Sequence, residues 1–181
     1  MPISALLLAA AIVTPAPAPA ADPLAPARKG LVECVDPNES AHICRALTHY
    51  VEGKDGTWQA TTNRVLLPGR PLTMETAYAV KVEGNAVCST FDKATLDKAV
   101  LRVNGQPLPE DRAAMVRERL DMVLGPMLGK KLCATTEAAD KGLVKKGTID
   151  GQPSPRDGGK VAWVAADAGY KVEPDDGTPS L

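Results

Sequence analysis

Four cysteines, Cys34, Cys44, Cys88 and Cys133, follow an apolar amino-terminal run, and this pairing of features constrains the fold more than anything else in the chain. An exported chain enters an oxidising compartment, where an even number of cysteines forms disulfides. Three connectivities are possible for four cysteines. Cys34 and Cys44 sit close together around a Pro/Asn turn, while Cys88 and Cys133 flank a long helical pattern, which favours Cys34–Cys44 and Cys88–Cys133. On the chain-entropy account the short loop contributes ~3 kcal/mol and the long one ~4 kcal/mol. Either is large beside the net stability of a typical domain.

The export reading rests on Ile3 to Val13, an apolar run of about eleven residues interrupted only by Ser4. Such a run suits the core of a signal peptide and is too short to span a bilayer. In the Ala/Pro tract that follows, small residues must occupy −3 and −1, and proline is refused just after the cut. Cleavage after Ala20 satisfies both rules, with Ala18 at −3 and Ala21 first in the mature chain. No Lys or Arg precedes the apolar core, an atypical start for a signal. No cysteine follows the core until Cys34, which argues against a lipoprotein anchor. Residues 1–20 are therefore expected to be a signal peptide, 21–30 a flexible Pro/Ala-rich leader, 31–172 a single domain and 173–181 a disordered tail. The expected location is secreted or periplasmic, with no integral membrane anchor after cleavage.

Charge nearly cancels, with 21 Lys/Arg against 22 Asp/Glu. Only a mild basic stretch stands out, around Lys130, Lys131, Lys141, Lys145 and Lys146. The six aromatic residues, Tyr50, Trp58, Tyr78, Phe91, Trp163 and Tyr170, are scattered. Nucleic-acid binders cluster cations and stacking rings, so no nucleic-acid partner is expected.

Turn signals divide the mature chain into hairpins. Residues 43–52 and 57–67 flank Gly53-Lys54-Asp55-Gly56; with Glu52 opposite Thr57, the face shared by Leu47, His49, Val51, Trp58 and Ala60 is apolar. A second hairpin pairs 73–83 with 86–90 across Gly84-Asn85. Its register places Tyr78, Val80, Val82 and Val87 on one face and Ala77, Ala79, Lys81 and Cys88 on the other, a small-residue face suited to seat a helix tied at its far end by Cys133. Asp92–Ala99 reads as a short helix and 100–103 as a strand ending at Asn104-Gly105. From Pro109, with Glu110 and Asp111 in the first turn, a long helix runs to Gly125-Pro126, its stripe formed by Val116, Leu120, Val123, Leu124 and Met127. Strands follow at 132–136, 143–149 and 160–164, the last apolar on both faces and hence central. The fold class expected is α+β: a twisted antiparallel sheet of hairpins with one long helix packed on it, stabilised by disulfides.

One internal echo links Val103-Asn104-Gly105-Gln106-Pro107-Leu108-Pro109-Glu110-Asp111 to Ile149-Asp150-Gly151-Gln152-Pro153-Ser154-Pro155-Arg156-Asp157. The match stops within roughly ten residues and a helical pattern follows only one copy, so shared turn chemistry accounts for it better than duplication.

Candidate chemistry is sparse. Cys34, His42, Cys44 and His49 form the densest cluster of metal-binding side chains, but their spacing fits no zinc-finger pattern and the thiols are expected in disulfides, so no metal is assigned. No serine lies in a nucleophile motif, and no catalytic residue or cofactor is assigned. Carboxylate pairs such as Asp36 with Glu39 read as solvated turns. The leading expectation is a non-enzymatic binding or structural protein of the envelope or periplasm, whose partner is a protein or an envelope polymer. Two alternatives stand: an inhibitor of a secreted hydrolase presenting an exposed loop with Gln152, Pro153, Arg156 and Asp157, or an enzyme using His42 or His49. The inhibitor reading asks for a rigid loop, which Gly158 and Gly159 oppose.

Overall fold

Alternating strands and tight turns dictate a meander of antiparallel hairpins, and in the computed structural model, which describes residues 22–155 and 158–174, that meander returns to its own start. The elements are α1 (Ala25–Arg28), β1 (Leu31–Val35), β2 (Ile43–Cys44), β3 (Ala46–Glu52), β4 (Trp58–Val65), β5 (Leu72–Glu83), β6 (Ala86–Thr90), α2 (Lys93–Asp97), β7 (Val100–Val103), β8 (Gln106–Pro107), α3 (Glu110–Leu124), β9 (Lys131–Ala139), β10 (Gly142–Ile149), β11 (Gln152–Pro153), β12 (Lys160–Ala165) and β13 (Lys171–Val172). Eight of them, β1, β3, β4, β5, β6, β9, β10 and β12, form a closed antiparallel barrel, each bonded to the next and β12 bonded back to β1. This corrects the expected α+β class: the twisted antiparallel sheet with one long helix packed on it is instead a mostly β fold built on a closed barrel. Closure leaves no edge among these strands, and both faces of a sheet so rolled are distinct: one encloses the interior, the other meets solvent.

The long helix is also placed differently from expectation. α3 runs for 15 residues and continues into a short 3-10 turn, Gly125–Met127. It does not lie on the small-residue face of the second hairpin, and Cys133 bonds Cys88 across the adjacent strands β6 and β9 instead of tying down a helix end. The segment α2–β7–β8–α3 is an insertion between β6 and β9. It attaches because β5 is long: residues 80–83 pair with β6, while residues 72–75 on the same side pair with β7. A small core of Met74, Leu96, Leu101 and Ala113, flanked by Val116, Leu120 and Leu124, fixes the insertion at that end of the barrel.

The opposite end is stoppered by a segment expected to be a loose leader. Leu24 is fully buried and packs with Ala27, Trp58, Ala60 and Val80. Arg28 stacks over the Trp58 ring, 4.7 Å from its centre, and pairs with Asp22 at 3.0 Å and with Glu52. The folded part thus reaches back to Asp22. The expected signal peptide, residues 1–20, lies outside the described residues, as do residues 175–181 of the expected tail.

In the first hairpin the register is one residue away from expectation. Gly53 N–H donates to the Thr57 carbonyl at 2.7 Å, making a five-residue loop, and Glu52 faces Trp58. Tyr50 and Glu52 therefore share the inner face with Trp58 and Ala60, and Leu47, His49 and Val51 turn outward. The second hairpin has Val82 opposite Val87 and Val80 opposite Ser89, around a two-residue loop that starts at Gly84 with φ +62°.

The sequence echo resolves into two copies of one turn. Asn104-Gly105 and Asp150-Gly151 both hold positive φ at both loop positions, and each closes a hairpin in matching register, Val103 with Gln106 and Ile149 with Gln152. β12 lies between β1 and β10, with Val161 and Val164 both buried. Outside it, the Cys34–Cys44 disulfide, Val32 and Val164 make a second apolar layer beneath the paired β2 and β13. On the remaining outer wall stand Gln59, Lys81, Glu137 and Lys146, all exposed, the reverse of the apolar belt of a membrane barrel. No helix among the described residues is long and apolar enough to cross a membrane.

Candidate functional site

Strand alternation decides what the barrel encloses. The pairings place Glu33, Thr48, Tyr50, Ala60, Thr62, Tyr78, Val80, Val87, Ser89, Leu132, Ala134, Lys145, Gly147, Ile149 and Trp163 on the inner face. Several of these, among them Tyr50, Tyr78, Val87, Ser89, Leu132, Ala134 and Lys145, keep partial solvent exposure although their side chains point inward. Inward residues that remain accessible mean that the interior is not filled. A cavity of about 440 Å³ accounts for it, lined by Tyr50, Tyr78, Val80, Val87, Ala134 and Lys145 on the barrel wall and by Leu120, Leu124 and Met127 of the α3 region at the mouth. Eight strands give a barrel just wide enough to be packed with side chains or to enclose a small cavity, and the small inward residues Ala134 and Gly147 leave part of this interior unfilled.

The polar groups inside are joined in two networks. In the first, Glu33 of β1 is almost wholly buried and receives the Lys145 ammonium from β10, while the Tyr50 hydroxyl donates to its other oxygen at 3.4 Å. Burial first, then the Glu33 carboxylate and Tyr78, push the Tyr50 phenol well above its usual value near 10. In the second, hydroxyls of Thr48, Thr62 and Tyr78 form a chain with successive separations of 3.0 Å. The Tyr50 ring packs near Trp163, with centres 6.0 Å apart. Around this polar end stands an apolar wall, with α3 above it.

Neither network was legible as a site in the sequence. The signal available was Glu33 itself, a carboxylate inside the otherwise apolar run Leu31–Val35, where strand alternation must either expose it or give it a partner. Lys145 and Lys146, adjacent in a mildly basic stretch, separate by the same alternation: Lys145 enters the barrel and Lys146 pairs outside with Glu137 at 2.7 Å.

The residues singled out from sequence lie elsewhere. All four cysteines are engaged as Cys34–Cys44 and Cys88–Cys133, both on the outer side of the wall. His42 is exposed and stacks on Tyr170, with ring centres 5.1 Å apart; His49 is exposed on the outer face of β3. Neither lines the cavity. Among the described residues, no three His, Cys, Asp or Glu side chains gather as a metal site. Of the proposed loop, Gln152 and Pro153 are exposed and form β11 against β10, and Arg156 and Asp157 lie outside the described residues.

The two glycines after that loop are anchors. Gly158 N–H donates to the Lys145 carbonyl at 3.0 Å, and Gly159 accepts from Lys145 N–H at 2.9 Å. A Cβ on Gly158 would stand 2.6 Å from the Lys145 Cβ, and one on Gly159 2.4 Å from the Asp36 carboxylate. Their service is close approach to the barrel rim. Asp36 completes the clasp, accepting from Lys160 N–H at 2.8 Å and from Arg45 at 2.6 Å.

Comparison with protein-family models, with curated proteins and with solved structures finds no match to this chain.

Proposed function

We propose that the chain is an exported, non-enzymatic binding protein that carries one small, mainly apolar molecule inside its barrel, in a secreted or periplasmic setting. The observation that supports this most directly is the cavity of about 440 Å³ among inward-facing residues, stoppered by α1 at one end and roofed by α3 at the other. That volume lies in the usual range for small-ligand sites, and a mainly apolar wall with a few converging polar groups is their common composition. The interior position favours a small molecule over the protein or polymer partner expected from sequence, because neither would fit within the barrel. Export accords with the disulfides Cys34–Cys44 and Cys88–Cys133. Cleavage after Ala20 would leave every described element intact, since α1 begins at Ala25.

The test is titration of the mature protein, stripped of endogenous lipid, with the apolar fluorophore N-phenyl-1-naphthylamine. Saturable binding of one equivalent is expected. The variant Ala134→Trp, which projects an indole from β9 into the cavity, should abolish that binding while the unfolding midpoint stays high. Absence of saturable binding, or equal binding by the variant, would remove the carrier reading. Amino-terminal sequencing of protein from the native host checks export: Ala21 is the expected first residue, and a retained Met1 would contradict it.

A further inference from the structure

We infer that the ligand bears a single uncharged oxygen function, a hydroxyl or carbonyl, seated against Lys145, Tyr50 and Tyr78, with its apolar body extending toward α3. This rests on the carrier reading above and adds the chemical class. Among the described residues, the charged side chains lining the cavity are Lys145 and Arg64. Arg64 is exposed and lies opposite Met74 in the register, at the end beneath the insertion. At the inner end, Lys145 is already neutralised by Glu33, whose side chain is only 4% exposed.

That pair sets the selectivity. A ligand carboxylate approaching Lys145 would share the ammonium with Glu33 and stand beside a second buried negative charge. An ammonium ligand would meet Lys145 itself. A neutral oxygen avoids both penalties: the Lys145 ammonium has three hydrogens, and one not taken by Glu33 can be donated to it. Tyr78 hydroxyl, held at 3.0 Å by Thr62, can donate or accept in the same place. Tyr50 is committed to Glu33 at 3.4 Å and contributes its ring. At the other end Leu120, Leu124 and Met127 offer no hydrogen bond to a polar head, and the charged group there, Arg64, is exposed to solvent and engaged in an interaction of its own.

The experiment is displacement of N-phenyl-1-naphthylamine from the mature protein at pH 7.4 by 1-decanol, 2-decanone, decanoate and decylammonium. Decanol and decanone should displace it at concentrations at least tenfold lower than either ion. Two variants separate recognition by these residues from general hydrophobicity. Glu33→Gln frees the Lys145 charge and should move the decanoate-to-decanol ratio at least tenfold toward decanoate. Tyr78→Phe should weaken decanol and decanone about fivefold while leaving the fluorophore unchanged. Decanoate or decylammonium matching decanol on the unaltered protein would overturn the inference, as would unchanged ratios in a folded Glu33→Gln. Should Glu33→Gln not fold, the ranking on the unaltered protein and Tyr78→Phe decide the matter. Failure of the fluorophore itself to bind is a different result and strikes the carrier reading instead.

Discussion

Replacing Leu24 by alanine tests whether residues before Leu31 belong to the fold. Leu24 has no solvent exposure and fills the space between α1 and the inner wall at Trp58, Ala60 and Val80. Losing about three buried carbons at ~0.8 kcal/mol each costs ~2.4 kcal/mol of transfer free energy. A cavity term adds to this, kept small because the four-residue helix α1 can settle toward the wall. The total is ~3 kcal/mol, equivalent to a fall of roughly 10 °C in Tm for a domain of this size. Urea unfolding of the disulfide-intact protein, followed by Trp58 and Trp163 fluorescence, should show that loss with the slope unchanged. Trp58 emission should also shift to the red as its stopper loosens. A change within ~0.5 kcal/mol, the usual cost of an exposed substitution, would mean that the amino-terminal segment is a leader and not the stopper of the barrel.

Further outcomes follow from the same geometry. Removing Cys88 and Cys133 together frees a loop of 45 residues containing the whole insertion and should cost ~4 kcal/mol, against ~3 kcal/mol for the span of 10 between Cys34 and Cys44; urea midpoints of the two double alanine variants rank them. Equal midpoints would contradict loop closure as the source. Because burial raises the Tyr50 phenol, the unfolded chain ionises first: that stability is fully present below pH ~10 and is lost as pH rises through the folded value. Tyr50→Phe should flatten the alkaline limb of a midpoint-against-pH curve, and an unaltered limb would refute the assignment. Gly159→Ala should destabilise by more than ~2 kcal/mol, because its φ is +88° and its Cβ would meet Asp36. Gly169→Ala, with φ +76° and open space around it, should cost only about 1 kcal/mol; equal losses would discount the clasp.

What could be read directly was whatever a few consecutive residues decide. Asn104-Gly105 and Asp150-Gly151 favour positive φ and so close tight hairpins wherever they occur. Pro109, Glu110 and Asp111 mark the start of α3 because the requirements at a helix amino terminus are local. The first hairpin shows the limit of such reading. One additional loop residue, Thr57, moved Leu47, His49 and Val51 from the face of Trp58 and Ala60 to the opposite one, since side chains alternate with period two.

The amino-acid order by itself determined the hairpins, their turns, the long helix and the cysteines available to pair, because each depends on neighbours along the chain. Tertiary structure alone decided that the meander closes, that α1 and α3 occupy its two ends, and that Glu33 meets Lys145 across β1 and β10. Closure depends on the cumulative tilt and stagger of eight strands, a sum that no single segment carries. The cavity is assembled from alternate residues of strands far apart in sequence, so its chemistry comes into being only when β12 bonds to β1 and the inner face acquires an inside.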